Sequence, residues 1–299
     1  MIAAAVTFVV LVCLSLTAEF IWSRCNAHHV QLREKQVATS NMARALAQHA
    51  ENTVKVADTV LLGVVERLET DGTGAASLAR LHKLLRARVA GLPLLHGLFV
   101  FDGDGRQLVT SQASGISKVN GAVRDYFRYH RAHSGGQPLI GQPVRSLSTG
   151  EWIITVSRRV DHADGSFAGV AVATINLRHF KHFYDSFDVG AEGTIFLALD
   201  DGALLVRRAQ DEASNRQNVA DGPVFRHYRA NGPVGTALLT ARADHIERLY
   251  SYRHVDGYPM LVAVGLSKRE ILADWWPTAG ATAARWGCWW PRWPCWDTA

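Results

Sequence analysis

A cluster of basic and aromatic side chains near the middle of the chain could hold a small anionic molecule. Arg124, Tyr126, Phe127 and Arg128 lie within five consecutive positions. An arginine presents a planar fork of N–H donors that fits a carboxylate, and aromatic rings can wall an apolar pocket. The cluster therefore predicts a binding site for an anionic ligand. The alternative is that the arginines pair with neighbouring acidic side chains such as Asp125.

A strand predicted downstream carries three further candidates, Trp152, Ser157 and Arg158. We expect this strand to cross the same sheet as the basic cluster, so that Trp152 walls the pocket and Ser157 and Arg158 belong to the same ligand site. The alternative is that Trp152 belongs to the hydrophobic core and that Glu151 pairs with an arginine.

Other kinds of chemistry have less support in the sequence. Asp102, Asp104 and Gly105 begin like a calcium loop, but its twelfth position is Ala113 where a bidentate glutamate is needed, so a tight hairpin turn is favoured. Two histidine pairs spaced i, i+3 lack a third ligand, so we predict no metal and no other cofactor. G-x-S-x-G, P-loop and G-x-G-x-x-G motifs are absent, which leaves hydrolase and nucleotide-binding functions unsupported.

The composition is that of a folded protein with no nucleic-acid partner. The 299 residues are 48% hydrophobic and 20% charged, and the formal charge of +5 is scattered along the chain. All four cysteines lie outside residues 26–287, which excludes a disulfide scaffold and cysteine catalysis in the folded region.

The amino-terminal part of the chain predicts two successive helical segments. Residues 1–22 are almost wholly apolar and reach the length of a membrane-spanning helix, the alternatives being a buried helix or an uncleaved signal. Residues 30–68 have helical hydrophobic periodicity and contain no proline, which predicts a long amphipathic stalk. A second helix is predicted over residues 77–89, with Ser77 as its N-cap.

A duplicated pattern organises the rest of the chain. FVFDGDGRQL at 99–108 and FLALDDGALL at 196–205 each join an apolar run to an acidic glycine turn and a second apolar start. Each copy is followed by a strand, a turn, a strand and a short helix. In the first copy we predict strands at 96–101, 107–111, 139–147, 151–160 and 167–176 and helices at 122–133 and 177–187. Two such units predict tandem α+β modules.

Five sequence strings resemble bacterial double Cache domains, which are tandem PAS-like extracytoplasmic sensors. They are RDYFR at 124–128, WIITVSRR at 152–159, GSFAGV at 165–170, LYSYR at 249–253 and VAVGL at 262–266. The chain is most similar to the variety that precedes GGDEF diguanylate cyclase domains. The resemblance spans residues 31–276 and implies an α+β fold with a long amino-terminal helix and two modules built on antiparallel sheets.

The resemblance also bears on the ligand. Arg124, Tyr126 and Phe127 fall where amino-acid-binding members carry an arginine followed by two aromatic residues. Thr174 stands where those members carry an aspartate that holds the ligand amine. Because a hydroxyl cannot neutralise an ammonium, the resemblance implies a simple carboxylate ligand. The second module, which lacks a comparable cluster, is expected to relay the signal.

These inferences predict a membrane-anchored sensory region held in the periplasm at the bacterial inner membrane, homodimeric through its amino-terminal helix. The expected organisation is a transmembrane helix (1–23), a stalk and second helix (24–90), a membrane-distal module (91–187), a membrane-proximal module (188–276) and a Trp/Pro-rich tail with the composition of a frameshifted end (277–299). No GGDEF-type or kinase motif occurs, so we expect no effector domain and no enzyme. The alternatives are the sensor of a histidine kinase or chemoreceptor, a periplasmic binding protein without output, and a hydrolase.

Overall fold

The computed structural model of the protein describes residues 2–113, 115, 120–146, 149–208 and 218–273. Within these residues the chain forms two antiparallel sheets packed along one long helix. The predicted Trp/Pro-rich tail at 277–299 lies outside the described residues.

The long helix, α1 (Ile2–Asp71), runs without a break through both segments predicted at the amino terminus. It ends where the chain turns at Gly72, whose φ of +67° is readily adopted only by glycine. Its second half is not a free-standing stalk, because one face of it is buried in the core of both modules. The buried side chains recur at helical spacing: Ala43, Leu46, Ala47, Ala50, Val54, Ala57, Leu61, Val64 and Leu68.

The second helix, α2 (Ala75–Gly91), begins two residues before the predicted start. Gly74 occupies its N-cap position, and the Ser77 hydroxyl donates instead to the Asp71 carbonyl oxygen at 3.0 Å. Ser77 is therefore not the N-cap, because the tight turn after α1 lets the helix begin earlier.

The first module contains six strands and two helices in the described residues. They are β1 (Leu95–Asp102), β2 (Gln107–Thr110), a 3-10 turn (Gly121–Val123), α3 (Asp125–Ala132), β3 (Leu139–Ile140), β4 (Val144–Arg145), β5 (Trp152–Asp161), β6 (Phe167–Asn176) and α4 (Leu177–Asp185). The strand order is β2-β1-β6-β5-β3, and β4 also pairs with β5.

The second module repeats this scheme. It contains β7 (Thr194–Leu199), β8 (Leu204–Arg207), α5 (Pro223–Asn231), β9 (Val234–Thr240), β10 (Glu247–His254), β11 (Met260–Ser267) and α6 (Lys268–Ala273). Its strand order, β8-β7-β11-β10-β9, matches that of the first sheet. The predicted α+β fold, a long helix followed by two modules with antiparallel sheets, is confirmed.

Each sheet has an inner face toward α1 and an outer face away from it. On β5 the alternation of strand residues turns Ile154 and Val156 inward to the large core, while Thr155 and Ser157 point outward. The short helices α3 and α5 lie on the outer faces of the first and second sheet, where separate small apolar clusters form.

Two predicted elements of the first module are interrupted. The predicted helix over 122–133 is divided at Arg124, whose extended backbone (φ −82°, ψ 146°) separates the 3-10 turn from α3. The predicted strand over 139–147 is divided into β3 and β4 by Gly141–Pro143, where proline has no N–H to donate to the sheet.

The acidic turn between β1 and β2 is a hairpin turn, as predicted. Asp102 Oδ1 accepts hydrogen bonds from the backbone N–H groups of Asp104 and Arg106, and Gly105 has a φ of +82°. Across the described residues, no group of three or more His, Cys, Asp or Glu side chains could hold a metal ion.

Among the described residues, no helix combines the length and apolar character needed to cross a bilayer. The span predicted over residues 1–23 stays a prediction.

Candidate functional site

A cavity of about 560 Å³ opens on the outer face of the first sheet. Strands β1, β5 and β6 form its floor through Phe99, Phe101, Thr155, Val172 and Thr174. The interrupted segments described above form its walls, since residues 123–126 line one side and residues 141–146 line the other.

Arg124 lies on the wall of this cavity with its donors unused. Its extended backbone places it at the N-cap position of α3, and its side chain is half-buried. No hydrogen bond or ion pair joins its guanidinium to any residue that the structure describes. A guanidinium carries five N–H donors and stays charged at every relevant pH, so it can receive an anion here.

Tyr126 stands on the same wall, with its ring 6.2 Å from that of Phe101. Burial raises the pKa of its phenol to about 12, and the nearby Arg124 charge opposes that rise. The phenol therefore stays protonated and can donate a hydrogen bond into the cavity.

Two threonines face each other at the floor. Thr155 and Thr174 are direct cross-strand partners on β5 and β6, and both are buried. The Thr174 hydroxyl donates to the Gly97 carbonyl oxygen at 3.2 Å. A Cβ atom on Gly141 would lie 2.2 Å from Thr155 Oγ1, so the wall can approach the floor only because residue 141 is a glycine.

Phe127 and Arg128 belong to the predicted cluster but do not line the cavity. Phe127 is buried beneath α3 with its ring edge-on to that of Phe167 at 5.4 Å. Arg128 is exposed and pairs with Asp125, which is the alternative that the sequence left open. Helical rotation of about 100° per residue explains the separation, because successive side chains of α3 leave the wall in different directions.

Trp152 and Arg158 lie on the inner face of the sheet, away from the cavity. Arg158 forms an ion pair with Asp58 of α1. Trp152 packs against the large core, and the Arg145 guanidinium lies 4.7 Å from the centre of its ring. Strand alternation therefore places both residues on the face opposite that of Thr155 and Thr174.

Ser157 is on the outer face but does not reach the cavity. Its hydroxyl donates to the Leu139 carbonyl oxygen at 3.3 Å and is hydrogen-bonded to His130 Nε2 at 3.0 Å. Its side chain is completely buried between β3 and α3. Of the eight candidates, the structure thus brings Arg124, Tyr126 and Thr174 together in one cavity.

Several cavity residues had escaped the sequence analysis. Among them are the two phenylalanines of β1, Thr155 and the wall segment 141–146. The spacing of Phe99 and Phe101 at i, i+2 is a strand signal that could have placed both rings on one face. In the wall segment the only sequence signal is Gly-Gln-Pro at 141–143, which predicts an irregular backbone. It does not predict that this segment lies close to Arg124.

The corresponding outer face of the second module is filled by its own side chains. Tyr250 and Tyr252 are buried there, and the Tyr252 hydroxyl is hydrogen-bonded to His227 Nδ1 at 2.8 Å. A Cβ atom on Gly265 would lie 2.6 Å from the Tyr250 ring, and one on Gly235 would lie 2.3 Å from the Tyr252 hydroxyl. The tyrosine rings thus occupy space that the first module leaves open.

The comparisons with known proteins agree with the resemblance described from the sequence. Among solved structures, the extracellular domain of the candidate histidine kinase rpHK1S-Z16 is 32% identical, with a TM-score of 0.73, over 81% of this chain and 98% of that chain. The ligand-binding domain of Pseudomonas fluorescens chemoreceptor CtaA, in complex with L-serine, is 15% identical (TM-score 0.59; 79% of this chain, 99% of that chain).

The ligand-binding domain of the Pseudomonas aeruginosa PAO1 amino acid chemoreceptor PctC, in complex with GABA, is 18% identical (TM-score 0.58; 78% of this chain, 100% of that chain). Curated protein sequences gave no match. The family model described as Cache domain matches residues 28–275, and this chain therefore belongs to the Cache domain family.

Proposed function

We propose that this chain is the extracytoplasmic sensor region of a bacterial signal-transduction receptor and that its first module binds a small carboxylate. The observation that carries the proposal is Arg124, a half-buried guanidinium without a side-chain partner among the described residues, on the wall of a cavity lined by aromatic rings. A Cache sensor domain is itself non-catalytic.

The charges around the cavity favour an anion. Besides Arg124, its charged lining residues are Asp125 and Arg145. Asp125 is paired with Arg128, and Arg145 donates to the Gly150 carbonyl oxygen and covers the Trp152 ring. Arg124 therefore has the donors available for a ligand, and a carboxylate matches their planar geometry.

The relatives support a sensory role and differ in what they suggest about output. The 32% identical relative is the extracellular domain of a candidate histidine kinase. This similarity favours an extracytoplasmic location for the present chain and a kinase as its output domain. The two chemoreceptor domains hold amino acids, which supports a small-molecule site in this fold. The predicted link to a diguanylate cyclase rests on the sequence resemblance and stays a prediction.

We further propose that α1 holds the protein at the inner membrane and pairs two copies of the chain. Val6, Phe8, Leu11 and Leu14 expose large apolar side chains along its first turns, which favours contact with lipid. The full chain should float with phospholipid vesicles, whereas a Leu11→Asp, Leu14→Asp double variant should stay in the aqueous fraction. Equal flotation of both proteins would refute the anchor.

A thermal-shift screen of the full chain in mild detergent tests the ligand class. Monocarboxylates, dicarboxylates and the standard amino acids are added singly, and we expect a carboxylate to raise the melting temperature because it binds the folded state. Arg124→Gln should weaken that ligand about 10- to 100-fold, since a hydrogen bond to a charged group contributes about 1.5–3 kcal/mol.

Arg131→Gln is the matched control, because it removes an exposed arginine of the same helix that does not line the cavity. It should leave the affinity within about twofold. The proposal fails if no carboxylate changes the melting temperature, or if Arg131→Gln weakens binding as much as Arg124→Gln does.

A further inference from the structure

We infer that the ligand carries an uncharged hydroxyl group in addition to its carboxylate, and that Thr155 and Thr174 receive this hydroxyl at the cavity floor. The inference rests on the proposed function, because it assumes that Arg124 holds the carboxylate. It assigns the ligand to the hydroxycarboxylates and excludes the amino acids of the same length.

The two threonine side chains form one recognition surface. Thr155 on β5 lies directly opposite Thr174 on β6, and directly opposed side chains have Cβ atoms about 4.5–5.5 Å apart. Both residues line the cavity, and they are 7% and 4% exposed. A single ligand oxygen placed between them is within reach of both hydroxyls and is shielded from water.

The hydrogen bonds already made by this pair define what it can accept. Thr174 uses its one hydroxyl hydrogen on the Gly97 carbonyl oxygen, so toward the cavity it offers lone pairs. The Thr155 hydroxyl has no hydrogen-bond partner within the described part of the chain, so it can donate. A ligand hydroxyl matches this arrangement, because it accepts from Thr155 and donates to Thr174.

A ligand ammonium matches the floor less well. It has no lone pair to accept from Thr155, and hydroxyls cannot neutralise its charge. The acidic side chain among the cavity residues, Asp125, is 92% exposed and already paired with Arg128. The Arg124 guanidinium, which lies on the cavity wall, also repels a second cation.

The second module shows how the same sheet position can be closed. Asn176 caps α4 through its side chain, and Ser267 occupies the corresponding place before α6. Two residues before these caps lie Thr174 and Gly265, and the cross-strand partner of Gly265 is Tyr250. At this position the first module has two threonine hydroxyls, whereas the second module has the Tyr250 ring packed over Gly265. The pair of hydroxyls at the cavity floor therefore occurs in the first module and not at the matching position of the second.

Calorimetric titration with matched ligands tests the inference on the full chain in detergent. One set is lactate, propionate and alanine; the other is 4-hydroxybutyrate, butyrate and 4-aminobutyrate. Within a set the members share carbon chain and carboxylate and differ in one hydroxyl, hydrogen or ammonium. In at least one set we expect the hydroxy acid to bind at least tenfold more tightly than both other members.

Thr155→Val and Thr174→Val then locate the preference, since valine keeps the side-chain shape and removes the hydroxyl. Each should reduce the affinity for the hydroxy acid to that of the unsubstituted acid and leave the latter within about threefold. Thr59→Val, on an exposed face of α1, is the control and should preserve the full preference. The melting temperature of each variant establishes that it is folded.

The outcomes separate this inference from the proposed function. If carboxylates bind through Arg124 but the hydroxy acid has no advantage, or the amine analogue binds best, the inference is wrong and the proposed function stands. The inference is also wrong if either valine variant keeps the full hydroxyl preference. If no carboxylate binds at all, both fail.

Discussion

Arg158 of β5 and Asp58 of α1 form a two-bonded ion pair between the first sheet and the long helix. The Nε–Oδ1 and Nη2–Oδ2 distances are 2.5 and 2.9 Å, and the side chains are only 14% and 12% exposed. The pair lies on the face of the sheet opposite the cavity. It therefore connects the strand that carries Thr155 to the helix that both modules share.

Loss of one partner of this pair should destabilise the protein. We expect Arg158→Met to lower the free energy of unfolding by about 3–5 kcal/mol, because it leaves the Asp58 carboxylate buried and unpaired. The double variant Asp58→Leu, Arg158→Met should recover most of this loss. Urea unfolding measures both, and a single variant as stable as the parent protein would contradict the assignment.

The position of Gly141 should control access to the cavity floor. Gly141→Ala should reduce ligand affinity at least tenfold, because the added Cβ would lie 2.2 Å from Thr155 Oγ1. Gly136→Ala is the matched control, since a Cβ there meets nothing within 4 Å. Adding Thr155→Ala to Gly141→Ala removes the clashing oxygen and should restore binding of a simple carboxylate. Failure of this rescue would show that the wall does not approach Thr155 as described.

Two buried tyrosine hydroxyls should respond in opposite ways to removal. Tyr184 is completely buried, its hydroxyl has no hydrogen-bond partner within the described residues, and burial raises its pKa. The Tyr252 hydroxyl, in contrast, is bonded to His227 Nδ1 at 2.8 Å. Tyr184→Phe should therefore stabilise the fold by about 1 kcal/mol, and Tyr252→Phe should destabilise it by about 1 kcal/mol. Equal changes in chemical denaturation would contradict this difference.

His130 should make stability depend on pH. Burial lowers its pKa from 6.5 to about 4. The hydrogen bond with Ser157 opposes this shift, and the Arg159 and Arg158 charges lower the pKa further. Since the unfolded chain binds more protons between these values, stability should be full above about pH 6.5 and fall as the pH drops toward 4.

The lowered pKa of His49, also about 4, contributes in the same window and with the same sign. Denaturation between pH 4 and 7.5 should show a shallower slope for His130→Asn, with the His49 contribution remaining. An unchanged slope would mean that His130 is already accessible to protons in the native state.

The fold could be predicted from the sequence because the patterns that indicate its turns and helices are local and occur twice. The paired acidic turns after residues 101 and 199 fixed two hairpins, and the helical periodicity of residues 30–68 fixed the central helix. Identical strand order in the two sheets then follows from duplication. The single unbroken helix from Ile2 to Asp71 was missed because the apolar and amphipathic segments have different patterns.

The site could be predicted only in part, because the sequence did not show on which sheet face a strand residue lies or in which direction a helix residue points. Strand β5 is buried on both faces, so its residues do not alternate between apolar and polar. The sequence therefore could not show that Trp152 and Arg158 lie on the opposite face from Thr155. On α3, adjacency in sequence suggested that Phe127 and Arg128 share the wall with Arg124. Because side chains rotate around the helix, Phe127 instead points into the core and Arg128 lies at the surface.

The most direct test of the central claim is a crystal structure of the chain with the carboxylate that stabilises it most. We predict that the ligand lies in the first-module cavity, with its carboxylate oxygens within hydrogen-bonding distance of the Arg124 guanidinium and its other end at Thr155 and Thr174. A ligand on the outer face of the second module, or one in the first module that leaves Arg124 uncontacted, would contradict the account.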